Sequence, residues 1–138
     1  MPISITFHES GRYMVAKFRG RVTDSELRPA YESFYAGHEI PINFPELCDL
    51  STADMNGVTQ PGLAAFAAWV RDLFERRGET ARKTAYFLPG LFGRGPVIIY
   101  EVLMQDSPEI TRTFPNLDDA VRWLLDPSPE SAARSPTR

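Results

Sequence analysis

The stretch that decides the fold is residues 13–31, which read YMVAKFRGRVTDSELRPAY. Side chains of residues 13–18 fall alternately on two faces, which is the period of a β-strand. The tetrapeptide Thr23-Asp24-Ser25-Glu26 then matches a capping box, in which Thr23 and Glu26 satisfy amide donors at a helix start. We therefore predict a strand over 13–18 and a helix over about 23–36, where the interior Pro29 indicates a kink or a later start.

Before this stretch, residues 3–8 also alternate, with Ile3, Ile5 and Phe7 on one side. The tripeptide Glu9-Ser10-Gly11 between the two runs supplies a turn with a glycine able to adopt a positive φ. The first two strands are thus predicted to form an antiparallel hairpin.

After this stretch, helical and extended patterns alternate along the chain. The predicted elements are a strand over 44–50, a turn-rich loop over 51–57, a helix from Thr59 to about Arg77, a strand over 84–88, a helix over 97–105, a strand over 110–114 and a helix from Asn116 to Leu125. Helical connections between strands imply right-handed parallel crossovers. We predict an α/β domain over 1–125 with a mostly parallel five-stranded sheet, an antiparallel edge strand and about four helices on both faces, followed by a disordered tail over 126–138.

Composition narrows the class of protein. A chain of 138 residues with 43% hydrophobic side chains has the size and the apolar content of one domain. Its single cysteine, Cys48, cannot close an intramolecular disulfide, and its start lacks the features of a signal peptide. No apolar run is long enough to span a bilayer, so we expect a cytoplasmic protein without stable membrane insertion.

Charge argues against a nucleic-acid partner. The formal net charge of -3 gives no general attraction to phosphate backbones. The basic residues near the end of the second predicted helix form one cluster: Arg71, Arg76, Arg77, Arg82 and Lys83. Acidic side chains interleave with this cluster, so we interpret it as a solvated helix end.

Signatures of catalysis, metal binding and cofactor binding are missing from the sequence. His8 and His38 are not spaced as ligands of one metal, and Cys48 lies in an apolar strand, where a thiol acts as a small hydrophobe. The glycines at 90, 93 and 95 do not form a phosphate-binding loop. We expect no enzyme activity, no metal and no cofactor.

Polar candidate residues surround the end of the third predicted strand. Asp49 and Ser51 lie where open α/β sheets bind ligands or partners, although Asp49 and Asp54 can equally serve as acceptors in a loop. Thr59 stands at a helix N-terminus, where it can cap the helix or accept a phosphate. Phosphorylation is therefore considered at Thr59 and at Ser51.

Apolar candidates concentrate around the third predicted helix, which has more apolar residues than a one-sided core needs. They are Leu91, Phe92, Val97, Ile98, Tyr100, Leu103 and Met104. Three interpretations stay open: a dimer contact, a ligand groove and deep core. In the groove interpretation, Phe66, Trp69 and Val70 of the second helix line a pocket that opens when the third helix moves.

Three short passages resemble the SpoIIAA-like group of STAS-type domains. They are residues 20–26, Cys48-Asp49-Leu50-Ser51, and the closing segment FPNLDDAVRWL over 114–124. The resemblance covers residues 3–125 and implies a non-enzymatic binding or regulatory domain that acts through protein contacts. Anti-sigma-factor antagonists of the wider family switch partners through phosphorylation of a serine at the start of the helix after the third strand.

This chain departs from the family pattern at two positions, and the resemblance also offers an alternative function. Matching the pair Gly62-Leu63 puts Gln60 and Pro61 where the two serines of the family stand, so the phosphorylation switch is in doubt. The SpoIIAA-like group also resembles lipid-carrying folds in which helices splay to accept an amphiphile. The resemblance therefore implies either an unknown protein partner or a small amphiphilic ligand, and the apolar residues around the third predicted helix add a homodimer to the options.

Overall fold

A five-stranded sheet with four helices makes up the part of the chain that the computed structural model describes, residues 2–91 and 93–127. The strands are β1 (Ile3–Phe7), β2 (Met14–Thr23), β3 (Glu46–Gly57), β4 (Arg82–Phe87) and β5 (Glu109–Phe114). The helices are α1 (Asp24–Gly37), α2 (Gln60–Arg77), α3 (Arg94–Leu103) and α4 (Leu117–Leu125). Phe92 and residues 128–138, most of the predicted tail, lie outside the described residues.

The strands follow one another in the sheet in chain order, β1-β2-β3-β4-β5. β1 pairs with β2 antiparallel at the edge, and every later pair is parallel. Since each right-handed crossover steps in the same direction, α1, α2 and α3 share one face of the sheet. α4 follows the last strand and packs on the other face. The predicted fold class is confirmed.

Helix α1 begins where the capping box predicts. The Thr23 backbone N–H donates to Glu26 Oε1 at 2.8 Å, and the helix runs from Asp24. Pro29 lies inside it without delaying its start, so the expectation of a later start is wrong. Pro29 and Ser25 are both exposed, and water can therefore solvate the Ser25 carbonyl that the proline leaves without an amide partner.

The predicted loop over 51–57 is wrong, because β3 continues to Gly57. Its partner is β2, whose residues Arg19 to Thr23 pair with Thr52 to Gly57, with one register shift just before Arg19 and a second between Arg21 and Thr23. Of the residues of β3, only Glu46 to Asp49 pair with β4. The strands β2 and β3 therefore extend past β4 as a two-stranded ribbon. Hydrogen bonding to β2 outweighs the turn preference of residues 51–57. The local sequence shows only that preference, because it carries no information about the neighbouring strand.

Helix α3 begins at Arg94, three residues before the predicted start at Val97. It follows Gly93, whose φ of 84° lies in the left-handed region that glycine tolerates. At the other end the Arg71 guanidinium donates to the carbonyls of Leu103 and Gln105 at 3.1 and 3.0 Å. α3 is thus anchored to α2 at its C-terminus. Within the described residues, no helix is long and apolar enough to cross a bilayer.

Candidate functional site

A cavity of about 60 Å³ lies between the sheet and the helices α1, α2 and α3. Most of its lining is apolar, and its half-exposed members include Phe66 and Trp69 of α2 and Pro96 of α3. These three residues mark its mouth. The part of the lining that lies on the sheet includes the charged residues Glu46, Arg82 and Glu109. An apolar pocket with a few converging polar groups is the usual form of a small-molecule site.

Aromatic rings form the wall of this cavity on the helix side. The Phe66 ring centroid lies 5.5 Å from that of Tyr31, 5.9 Å from that of Tyr100 and 6.1 Å from that of Trp69. Phe66 therefore joins one ring from α1 and one from α3 across α2. The Arg28 guanidinium lies over Trp69, 5.5 Å from the ring centroid, at the outer side of the wall.

The polar floor of the cavity is a buried cluster of charges on neighbouring strands. Arg82 Nη2 donates to Glu46 Oε1 at 2.7 Å, and Arg82 Nη1 lies 3.5 Å from Glu109 Oε2. All three side chains are 3% exposed. The strand period of two puts Arg82 and Thr84 on the same face of β4, and Thr84 Oγ1 donates to Glu109 Oε2 at 2.6 Å.

Glu46 is fully engaged, whereas Glu109 is not. The second oxygen of Glu46, Oε2, accepts from the Tyr31 hydroxyl at 2.6 Å. Glu109 Oε1 is buried without a hydrogen-bond partner, and so is the hydroxyl of Tyr35, which lines the same cavity. A buried acceptor that has no partner is destabilising by roughly 1–3 kcal/mol, so each such atom requires a physical reason.

Burial sets the protonation of this floor. Burial, with a smaller contribution from the charge of Glu46, raises the pKa of Glu109 above its ordinary value, and the neighbouring Arg82, Thr84 and Tyr100 only partly oppose this rise. Burial and the adjacent Glu46 raise the pKa of Tyr31, which keeps its hydroxyl a neutral donor. The floor therefore combines one permanent cation with a carboxyl group that holds its proton more tightly than usual.

The structure brings only some of the predicted apolar site residues together. Phe66, Trp69 and Tyr100 line the cavity, as do Val70 and Val97. Leu91 and Ile98 are instead 77% and 50% exposed, and Leu103 packs half-buried against the core outside the lining. Phe92 lies outside the described residues. α3 thus turns one side toward the cavity and the other toward solvent.

The predicted polar residues lie elsewhere. Asp49 alternates with the cavity-lining Cys48, so its side chain points to the other face of the sheet, where it pairs with Lys17 at 3.5 Å. Burial raises the pKa of Asp49, but hydrogen bonds from Ser51 and the charge of Lys17 more than offset this and lower it. The Ser51 hydroxyl donates to Asp49 Oδ1 at 2.6 Å, and the Asn56 amide donates to Asp54 Oδ1 at 2.9 Å. Both aspartates therefore act as local acceptors.

Thr59 caps α2, as one of its two interpretations predicts. Its Oγ1 accepts from the Gly62 amide at 3.0 Å and donates to Asp24 Oδ2 at 2.6 Å. The Thr59 amide also donates to Asp24 Oδ1 at 2.8 Å. A phosphate on this hydroxyl would lie beside the Asp24 carboxylate, where like charges repel.

Sequence reasoning missed the residues of the polar floor. The interpretation of Arg82 and Lys83 as part of a solvated helix end is wrong, because they are 2% and 8% exposed. Lys83 Nζ donates to the carbonyls of Trp123 and Asp126 at the end of α4, while Arg82 points to the opposite face. The alternation of Arg82, Thr84 and Tyr86 was the signal that could have found them, since these three share one face of β4.

Acidic and thiol side chains line the cavity, but within the described part of the chain they do not form a cluster that could hold a metal ion. Across the described ranges, no three His, Cys, Asp or Glu side chains come together in a way that could hold a metal ion. Burial raises the pKa of the Cys48 thiol well above its ordinary value, so this cavity-lining group stays protonated. The chemistry that the site offers is therefore hydrogen bonding, charge and apolar contact.

A protein of known structure has a fold similar to that of this chain. A crystal structure of an uncharacterized protein of the DUF3478 family with a SpoIIAA-like fold, from Shewanella loihica, matches with a TM-score of 0.52 and 22% sequence identity. The match covers 88% of this chain and 91% of that one. No protein-family model and no curated protein matches the chain. The chain therefore has a SpoIIAA-like fold, as the resemblance of its short passages predicted.

Proposed function

We propose that this chain is a non-catalytic, cytoplasmic binding module that holds a small amphiphilic molecule in the cavity between the sheet and α1, α2 and α3. The observation that carries the proposal is the cavity itself, with an aromatic wall and a charged floor. An amphiphile matches this division, since its body contacts the rings and its head group meets the floor. Cys48, the single cysteine, is buried with a free thiol, which suits a reducing compartment.

Helix α3 is the element that opens this site. The cavity of about 60 Å³ holds roughly four water molecules, so a longer ligand needs either a wider cavity or a body that lies in the mouth. Arg71 ties the C-terminal end of α3 to α2, whereas the N-terminal end follows Gly90 and Gly93. Rotation about these glycines would move Pro96 and Val97, which line the cavity, away from Phe66.

Native mass spectrometry of the full chain, beside a denatured and solvent-extracted sample, tests the proposal. We expect excess native mass that extracts as an amphiphile, and binding of the neutral apolar dye Nile red by the emptied protein. Phe66→Asp puts a charge in the mouth and should weaken dye binding at least about tenfold. Ala65→Asp, on the exposed side of the same helix, is the matched control.

Two results would contradict the proposal. One is an emptied protein that binds no dye although circular dichroism shows it folded. The other is a folded Phe66→Asp protein that binds dye as well as the Ala65→Asp protein does. Trp69→Ala, at the same mouth, repeats the test without introducing a charge.

A second candidate function is protein contact through the outer side of α3. Ile98 and Val102 stand one turn apart and are 50% and 57% exposed, and Leu91 before the helix is 77% exposed. Exposed apolar side chains that share one face mark interaction surfaces. A native mass of twice 15.6 kDa that Ile98→Asp reduces to the single mass would assign this face to a homodimer.

A regulatory role through protein contacts would instead involve Thr59 at the start of α2 or Ser51 in β3, whose phosphorylation is still a prediction. Thr59→Glu mimics the added charge beside Asp24. A partner switch predicts that this variant keeps the fold and changes the set of bound proteins, whereas an unchanged set counts against the switch.

A further inference from the structure

The unpaired carboxylate oxygen on the cavity floor identifies the head group that the cavity accepts. Glu109 is 3% exposed, lines the cavity and keeps its Oε2 on Thr84 and Arg82. Its Oε1 is buried without a hydrogen-bond partner, and the neighbouring Tyr100 hydroxyl, which interacts with this carboxyl group, does not satisfy that oxygen. An acceptor in this state is stabilised by any donor that a ligand brings, so the head group is a hydrogen-bond donor.

The charges of the floor decide between donors. Glu46 and Glu109 supply two carboxyl groups, and Arg82 supplies the one cation that contacts them. Arg82 is already engaged by Glu46, by Met14 Sδ at 3.4 Å and by the Phe74 ring, whose centroid lies 4.8 Å from Cζ. An anionic head group would therefore meet two carboxyl groups and a guanidinium that is already occupied.

A cationic head group would instead be attracted to the two carboxyl groups of the floor. The cluster holds two carboxyl groups against one guanidinium, and an ammonium group that donates to Glu109 would favour the ionised form of that carboxyl over the protonated form that burial favours. The aromatic wall of Tyr31, Phe66 and Tyr100 favours a nearby cation and also packs against an apolar or aromatic body. The hydroxyl of Tyr35, buried without a partner in the same lining, is a further acceptor.

We propose that the ligand is a primary amine on a short apolar or aromatic body, with its ammonium group donating to Glu109 Oε1. This inference rests on the proposed function, because it assigns the chemistry of a ligand to the same cavity. It separates this site from one for fatty acids or phosphate esters, whose head groups are anions.

Three compounds that share a phenyl body and differ in their head group test the inference. They are 2-phenylethylamine, 2-phenylethanol and 3-phenylpropanoate, each titrated into the full chain by calorimetry at about pH 8, where the amine is still charged. We expect the amine to bind most tightly, and the acid to bind at least about tenfold more weakly than the amine.

Two variants locate the head group. Glu109→Gln keeps the size of the side chain and removes its charge, so it should abolish the advantage of the amine over the alcohol. Glu101→Gln is the matched control, because Glu101 also accepts from a threonine hydroxyl, that of Thr111 at 2.8 Å, and lies outside the cavity lining. It should leave the order of the three compounds unchanged.

The outcomes separate this inference from the proposed function. If the acid or the alcohol binds as tightly as the amine, or if Glu109→Gln keeps the advantage of the amine, the amine inference is overturned while the cavity is still a binding site. If none of the three compounds binds but Nile red does, the amine inference is again overturned. If neither the compounds nor the dye binds, both proposals fail.

Discussion

Replacing Arg82 with methionine tests whether the charged floor is one electrostatic unit. The substitution keeps most of the apolar stem of Arg82 but removes the cation that lies 2.7 Å from Glu46 and 3.5 Å from Glu109. Both carboxyl groups are 3% exposed, so water cannot replace the lost partner. Removing one member of a buried ion pair is destabilising by about 3–5 kcal/mol, because an uncompensated charge remains.

The destabilisation caused by Arg82→Met should become smaller as the pH falls. Near neutral pH we expect Arg82→Met to lower the free energy of unfolding by about 3–5 kcal/mol. At about pH 4.5 the Glu109 carboxyl, whose pKa burial raises, holds its proton and leaves less uncompensated charge, so the loss should become smaller. Urea denaturation followed by tryptophan fluorescence and circular dichroism measures both values.

Arg76→Met is the matched control. Arg76 also pairs with a carboxylate, Asp72, at 2.8 Å, but the two side chains are 60% and 63% exposed. An exposed pair of this kind contributes about 0.3–0.5 kcal/mol, so the control should be almost as stable as the parent protein. A loss below about 1 kcal/mol for Arg82→Met at neutral pH, or an equal loss at both pH values, would refute the reasoning.

Two further predictions follow from other contacts. Because the pKa of Glu109 is raised in the folded protein, its contribution to stability is present at low pH and is lost as the pH rises through that pKa. The free energy of unfolding of the parent minus that of Glu109→Gln should therefore fall with rising pH, by at most about 1.4 kcal/mol per pH unit, and urea titrations that show it rising would contradict this. Gly62→Ala should destabilise the protein by roughly 1–2 kcal/mol, since its Cβ would overlap the Asp24 carboxyl group and push it off Thr59. In an Asp24→Ala background the same change should be neutral or stabilising by up to about 1 kcal/mol in thermal or urea unfolding, and an equal loss in both backgrounds would exclude the overlap as its cause.

The sequence predicts the fold well because its signals are local. The capping box at Thr23 and the caps at Thr59 and Asn116 each lie within a few residues of the amides that they satisfy. The extension of β3 over 51–57 depends instead on a partner strand more than thirty residues away, so local turn residues gave the wrong answer there. A signal that comes from another strand is invisible to a window of neighbouring residues.

For a related reason, the sequence predicted the apolar residues of the candidate site but not its charged residues. Phe66, Trp69 and Tyr100 were found because apolar side chains on helices predict burial. Arg82 and Glu109 were missed because charged side chains predict exposure, and only the assembled sheet shows that β4 and β5 place them together. Pairs of buried opposite charges are a property of tertiary structure, since each member alone would be too costly to bury.

The energetics of the floor also argue that it serves a purpose other than stability. A buried cluster such as that of Glu46, Arg82 and Glu109 can often be replaced as a whole by apolar side chains with a neutral or stabilising effect of about 1–4 kcal/mol. The loss expected for Arg82→Met therefore measures the damage from breaking the cluster, and not a benefit from having it. Under the proposed function, what the charged floor adds is an oriented acceptor, Glu109 Oε1, at the bottom of an aromatic cavity, where it would meet the head group of the ligand.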